Sequence, residues 1–327
     1  MRAFLRFLVP GLLASVALAT AAQAQGPAAD WPSRPIRIIV PTPPGGAYDR
    51  TIRPLAQEMA TVLKQPVVID NRPGAGNIIG AAAGARSAPD GYMLTMTGMV
   101  NAIAAGLYSN VPFDIASDFA HVASIGEGAQ WLVVRPDAGI ASLAELIERA
   151  RREPGKLNYA SSGPGSTGHL LMELLQRSTG TRFTHVPYKG GAPALQDVLA
   201  GVVPITVVPS AGADVHVKSG KLKVLAVSSS ERTPTHPDLP TFAEQGYQSL
   251  TVTSWVGLSA PKGTPPEIVR KLHAAVQASL AKPALAAQLQ AEGMLPLSLG
   301  PEGYTQLVRS DTERWTQLTR SLNLKAD

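Results

Sequence analysis

Short apolar runs alternate with longer helical periodicities along most of the chain, and turns rich in Gly, Pro, Asp or Asn separate them. Residues 36–40 are β-branched and bounded by prolines, which predicts a buried strand. From about Thr51, Ile52, Leu55, Met59 and Leu63 recur at helical spacing, and Pro66 ends that helix before a second strand at 67–69. A small-residue helix at 78–85 and a strand at 91–97 continue the device. Further on, strands are predicted at 131–134, 157–160, 183–186, 203–208 and 222–227. Ser142 and Glu145 form a capping-box pattern opening a helix with Leu143, Leu146, Ile147 and Ala150 on one face. Helices are also expected at 169–176 and 192–199, after Thr264, and from Pro301, with an extended stretch at 250–259. Strands alternating with helices imply an α/β chain with parallel sheets, and in such sheets ligands sit outside the carboxyl ends of the strands.

Two turns stand at such ends. Pro43-Pro44-Gly45-Gly46-Ala47-Tyr48-Asp49 links a strand to a helix, where unpaired backbone N–H groups suit an anion. The plain alternative is that it only reverses the chain. Asp49 reads as the helix N-cap, organising the same loop. Residues 161–168 hold Gly163-Pro164-Gly165-Ser166-Thr167-Gly168, a formal G-x-G-x-x-G between strand and helix. A dinucleotide site needs an acid about 20 residues on, and 183–188 contain none. What survives is a second anion cradle with the hydroxyls of Ser166 and Thr167 at a helix N-terminus.

Composition narrows the chemistry. With 327 residues, 45% hydrophobic and 16% charged, the chain can bury a large core and form about two domains. Residues 1–24 read as a secretory signal: Arg2 and Arg6 precede an apolar run from Leu8 to Ala22, and Ala22-Gln23-Ala24 offers a cleavage site. An uncleaved anchor is the alternative, opposed by Pro10, Gly11 and the short apolar length. A periplasmic destination follows. Without Arg2 and Arg6, the 29 basic residues become 27 against 24 acidic, a bias too weak to argue for nucleic acid. There are no cysteines, which excludes thiol catalysis, thiolate zinc sites and Fe–S clusters. Ser166 lies outside the G-x-S-x-G elbow, and no acid is placed by sequence to orient His169 as a base. His169 and Glu173 share a helix face but lack a third metal ligand.

At this point the motifs carry a resemblance. Trp31-Pro32-Ser33-Arg34-Pro35-Ile36-Arg37, Pro44-Gly45-Gly46 with Asp49, and Asp70-Asn71-Arg72-Pro73-Gly74-Ala75-Gly76 resemble the Bug family of periplasmic solute-binding proteins, receptors of tripartite tricarboxylate transporters. Ala88-Pro89-Asp90-Gly91-Tyr92, Pro154-Gly155-Lys156-Leu157-Asn158-Tyr159-Ala160-Ser161, His185-Val186-Pro187-Tyr188-Lys189-Gly190, Gly220-Lys221-Leu222 and Ser254-Trp255 extend the likeness over the mature chain. It implies a two-lobed periplasmic binding protein fold of type II, each lobe a mostly parallel sheet flanked by helices. The lobes are expected at 26–123 with 253–327, and at 124–252. It also implies a small carboxylate ligand, often held through bridging waters, membrane permease subunits as partners, a monomer, and neither cofactor nor catalytic or metal residues.

The implied ligand-binding residues are Pro44, Gly45, Gly46, Ala47, Tyr48, Asp49 and Asn101 from the first lobe. The second lobe would supply Ser162, Gly163, Gly165, Ser166, Thr167, His169, Val208, Pro209 and Ser210. Two positions depart from the family pattern. Ala47 and Tyr48 stand where Gly-Thr is usual, and Val208-Pro209 stands where an Asp-Asn pair is often found. An apolar floor of this kind suits an ammonium group poorly, so a carboxylate without an amino group is expected. Two readings compete with a transport receptor: a sensory binding partner on the same fold, and an exported hydrolase using Ser166 and His169.

Overall fold

A computed structural model describes residues 30–188 and 190–325. The expected signal segment, 1–24, lies outside the described residues. Three parallel strands form one wing: β1 (Ile36–Val40) lies between β2 (Val67–Asn71) and β3 (Met93–Gly98). The helix after β1, α1 (Ala47–Leu63), begins four residues before the expected Thr51. α2 (Ile78–Ala85) precedes β3, and α3 (Met99–Leu107) follows it directly.

The strand expected at 131–134 is only the end of β4 (Phe119–Val134). Through Ala129 it pairs antiparallel with β9 (Thr253–Pro261), which in turn pairs with β3. From Gln130 it pairs instead with β7 (Ile205–Pro209) and β8 (Lys223–Val227). Register shifts at His121/Ala123 and Ser124/Gly126 let this long strand bend, as bulges do. β5 (Asn158–Ser161) lies parallel to both β7 and β6 (Thr184–Pro187), making the second wing. The whole sheet runs β2-β1-β3-β9-β4-β7-β5-β6, two parallel wings joined through antiparallel strands.

Helices cover both faces. α4 (Leu143–Arg152), α5 (Thr167–Thr179), α6 (Gly191–Leu199) and α7 (Ser210–Lys218) belong to the second wing. α8 (Pro266–Leu280), α9 (Pro283–Ala291), the short β10 (Met294–Pro296) and α10 (Pro301–Ser321) return to the first, where β10 pairs with residues 126–128 of β4. Strand alternation divides the cores. Trp131 and Val133 pack with Ala194 and Val198, while Leu132 and Val134 pack with Leu146 and Leu171 on the opposite face. In the first wing, Ile36, Ile38 and Val40 meet Ile52, Leu55, Met59 and Leu272. α3 and α10 approach closely at Gly106, where a Cβ would overlap Thr319 Oγ1 and come within 2.8 Å of Thr316 Cα. The Ser142 cap forms as predicted, accepting Glu145 N–H at 3.2 Å, while Glu145 reaches back to Ala141 N–H at 2.7 Å.

Candidate functional site

The first loop is a turn closed by Gly46 N–H donating to Pro43 O at 3.0 Å, with Gly45 at φ 76°. Gly46 occupies the cap position of α1, which has no side-chain cap. Asp49 is therefore not the N-cap that its composition suggested but the third helical residue. Buried, it accepts from Gly45 N–H at 2.8 Å, Arg53 Nε at 2.7 Å and Asn71 Nδ2 at 2.9 Å. Asn71 Nδ2 also reaches Thr42 O at 3.0 Å, and Arg50 donates to Gly45 O at 2.6 Å. Desolvation raises the Asp49 pKa, but the hydrogen bonds from Arg53, Gly45 and Asn71 and the Arg53 charge outweigh it and hold it at about 2. The carboxylate thus shapes the loop, with both oxygens already engaged. Asp49→Ala removes the acceptor of Gly45 N–H and one partner each of Arg53 and Asn71, so a loss of about 1–3 kcal/mol in urea denaturation is expected. An unchanged midpoint would contradict this role.

Tyr48 carries the loop inward. A Cβ on Gly98, at the end of β3, would overlap the Tyr48 hydroxyl and stand 2.9 Å from Trp255 O, so Tyr48 lies against the β3–β9 seam. Burial pushes the Tyr48 phenol pKa up. Asn101, in the first turn of α3, accepts Gly98 N–H at 3.1 Å through Oδ1. Its Nδ2 is buried and has no partner among the described residues.

The second loop is built over a stack of rings. Tyr159 lies on His185 with centroids 4.9 Å apart, and His185 on His169 at 4.0 Å with the two imidazole planes nearly parallel. His169 Nδ1 accepts Gly165 N–H at 2.9 Å, and Ser161 Oγ bonds both Gly163 N–H and His185 Nε2. Ser166 caps α5, its Oγ accepting from His169 N–H. Gly165 at φ 71° rests on Leu107 of α3, where a Cβ would overlap that side chain. Burial, with a smaller contribution from His185, pulls the His169 pKa down to about 4. Glu173 is 3.7 Å from His169 Nε2, and Nδ1 is occupied by Gly165. His169 is a support for the loop, and Ser166 a helix cap.

Beyond this loop lies a cavity of about 110 Å³ bounded by Ser162, Thr167, Gly168, Val208 and Pro209, with Gln130, Thr206 and Ser254. Ser254 Oγ is 3.2 Å from Gln130 Nε2 and 3.4 Å from Thr167 Oγ1. Among the described residues, no charged side chain lines it. Of the predicted residues, Ser162, Thr167, Val208 and Pro209 line this space, while Gly163, Gly165, Ser166 and His169 are outside its lining and belong to the loop and helix start that carry Ser162 and Thr167. Residues 44–49 and Asn101 lie outside its lining and connect to it through Tyr48, Gly98 and the Ser254-Trp255 segment of β9. Ser210 lines a different cavity. Gln130 and Ser254 are the residues that reading the sequence missed. Ser254-Trp255 was legible as a motif, but only strand pairing brings it beside β4, with Gly128 opposite Ser254.

The sequence profile of the tripartite tricarboxylate transporter family receptor matches residues 51–324. The chain belongs to this family. Its receptors bind solutes and are not enzymes, in keeping with the structural duties of Ser166 and His169. Among its relatives, Protein BugT of Bordetella pertussis (strain Tohama I) is 37% identical over 311 residues, covering 94% of this chain and 95% of BugT. The solved structure of MatC from Rhodopseudomonas palustris with bound malate superposes with a TM-score of 0.74 at 33% identity, covering 88% of this chain and 99% of MatC. An R. palustris protein solved with adipate gives 0.78 at 33% identity, covering 90% and 100%. These neighbours share the two-lobed periplasmic binding fold. Among the described residues, no helix is long and apolar enough to cross a membrane.

Proposed function

We propose that this family member is a periplasmic receptor, exported with cleavage after Ala24, that holds a small carboxylate lacking an amino group between two lobes. The lobes comprise 26–123 with 253–327, and 124–252, with changes of strand partner along β4 allowing them to move against each other. The loops at Pro44–Asp49 and Ser162–Thr167 grip the ligand, with ordered water bridging its oxygens to backbone N–H groups. The closed monomer then presents it to membrane permease subunits.

One observation carries this reading: the cavity offers hydroxyl and amide groups beside the N-terminus of α5 and, among the described residues, no acidic side chain lines it. A carboxylate there meets donors and the positive end of a helix, whereas an ammonium group would lose its hydration with no counter-charge. The unpartnered Asn101 Nδ2 adds a buried donor on the side of Gly98. Malate and adipate in the two R. palustris neighbours are ligands of this chemistry. In a thermal-shift screen of organic acids, a ligand at about 100 times its Kd stabilises the fold by about 2.7 kcal/mol. Linear dicarboxylates are expected to raise Tm, and a flat response across all carboxylates would contradict the proposal.

A further inference from the structure

The two faces of the sheet are packed differently. On one, a single apolar core crosses the molecule: Ile103 of α3 and Trp315 and Leu318 of α10 belong to the same packed cluster as Leu132, Leu171 and Leu250. Leu107, the last residue of α3, joins this core and rests on Gly165 of the second loop. On the other face the core is divided. Ile38, Leu55 and Leu272 pack in the first wing, and Trp131, Val198 and Val224 form a separate cluster in the second. A cavity of about 370 Å³ lies at the junction, with α7 on one side, residues 290–295 on the other, and Ala129 and Trp131 of β4 between them. Parting the wings on the first face would expose packed apolar surface to water, so the divided face is where they can separate.

Gly293 bridges this gap. It stands at φ 73° after α9, so close to the start of α7 that a Cβ would lie 2.6 Å from Ser210 Oγ and 3.1 Å from Ala211 Cβ. The residue before it, Glu292, accepts from Arg50 Nε at 2.8 Å, and Arg50 Nη1 donates to Gly45 O. The first loop is thereby tied, through Arg50 and Glu292, to a turn that touches the second wing next to Pro209, a wall of the smaller cavity. A glycine with positive φ also suits the end of a helix. That role needs neither the ion pair nor the close approach to α7.

We infer that Arg50, Glu292 and Gly293 are positioning residues for lobe closure. They clasp the first loop to α7, and the receptor opens by releasing this contact while the core under α3 and α10 serves as the pivot. The inference rests on the two-lobed reading above and is independent of which ligand the cleft takes.

The chain has no cysteine, so Ser210→Cys with Gly293→Cys gives the full mature protein a single pair of thiols. The 2.6 Å approach of a Cβ at 293 to the Ser210 Oγ position brings the two within disulfide reach. In small-angle scattering without ligand, oxidation is expected to lower the radius of gyration and reduction to restore it. Comparing the two redox states of one variant cancels any strain at residue 293. Adding Glu292→Gln should slow formation of the disulfide by up to about fivefold, the upper end of what a surface ion pair is worth. In the cysteine-free chain, Gly293→Asn keeps a residue that tolerates the left-handed backbone but sets a side chain against Ser210, and it should raise the radius of gyration. The inference is overturned by a pair that does not crosslink, by equal radii in the two redox states, by a crosslinking rate unchanged in Glu292→Gln, or by an unchanged radius in Gly293→Asn. All of these are read without ligand, so failure of carboxylates to bind the cleft would leave them standing, and the two readings fail separately.

Discussion

Gly98→Val is expected to reduce ligand affinity more than tenfold and to lower Tm by several degrees. The backbone there is extended, so the obstacle is space and not conformation. A side chain at Gly98 meets the Tyr48 hydroxyl on one side and Trp255 O at 2.9 Å on the other. Tyr48 can swing away, but Trp255 belongs to the central strand β9, and Gly98 itself pairs with Val256. Overpacking of this kind costs about 1–3 kcal/mol. At about 2–4 °C per kcal/mol for a chain of this order, the shift is readily measured. The seam also places Ser254 at the cavity and Asn101 beside Gly98, so binding should suffer beyond the loss of stability. Adding Tyr48→Ala removes only one of the two clashes and should recover part of the Tm. A Gly98→Val protein with unchanged affinity would separate the first loop from the site.

Stability should fall steeply as pH drops from about 6.5 to about 4, and two buried histidines are the reason. Burial pulls the His121 pKa down to about 4, opposed by a ring N–H hydrogen bond to the Ile115 backbone carbonyl and helped by the Arg309 charge. His169 is depressed to about 4 in the same way. In the folded protein both rings stay neutral across this window, while in the unfolded chain they take up protons near 6.5. The unfolded state then binds more protons, so stability is full above about 6.5 and is lost on acidification. Each ring contributes up to about 3 kcal/mol. His121 Nδ1 lies 2.9 Å from Ser259 Oγ, itself bonded to Thr97. His169 must remain an acceptor for Gly165 N–H, and an imidazolium cannot accept, so the second loop should loosen and affinity should decline in the same window. Asp49 adds a separate loss at lower pH, between about 4 and 2. Melting curves from pH 7.5 to 4.5 test this, with His121→Asn and His169→Asn expected to flatten the profile. A wild-type Tm that holds steady to pH 4.5 would refute the assignment.

Much of the fold was legible because most of its strands are short apolar runs bounded by turn residues. β1, β2, β3, β5, β6, β7 and β8 all fall where those runs fall. The omissions have physical causes. α3 is buried nearly all round, so Met99, Ala102, Ile103, Ala104 and Leu107 leave no polar stripe for a period to show. α7 carries Gly212 and mostly exposed side chains, and its sequence has no apolar face. Only the last four residues of β4 looked like a strand because Gly126, Glu127 and Gly128 interrupt the apolar alternation where β10 lies alongside.

The site divides in the same way. Loops that follow a strand and open a helix can be read from Gly, Pro and hydroxyl residues, and both candidate loops were found so. Asp49 was misplaced by a few residues, since an acid at the third helical position bonds backward to Gly45 much as a cap bonds forward. Gln130 and Ser254 come from strands 124 positions apart in sequence, and their meeting is a property of the sheet.

The most direct test is calorimetric titration of the mature protein with malate, adipate and glutamate under one set of conditions. A cavity lined by no acidic side chain among the described residues predicts one saturable site for a simple dicarboxylate and no comparable heat from glutamate. Tight glutamate binding with no response to simple organic acids would contradict it.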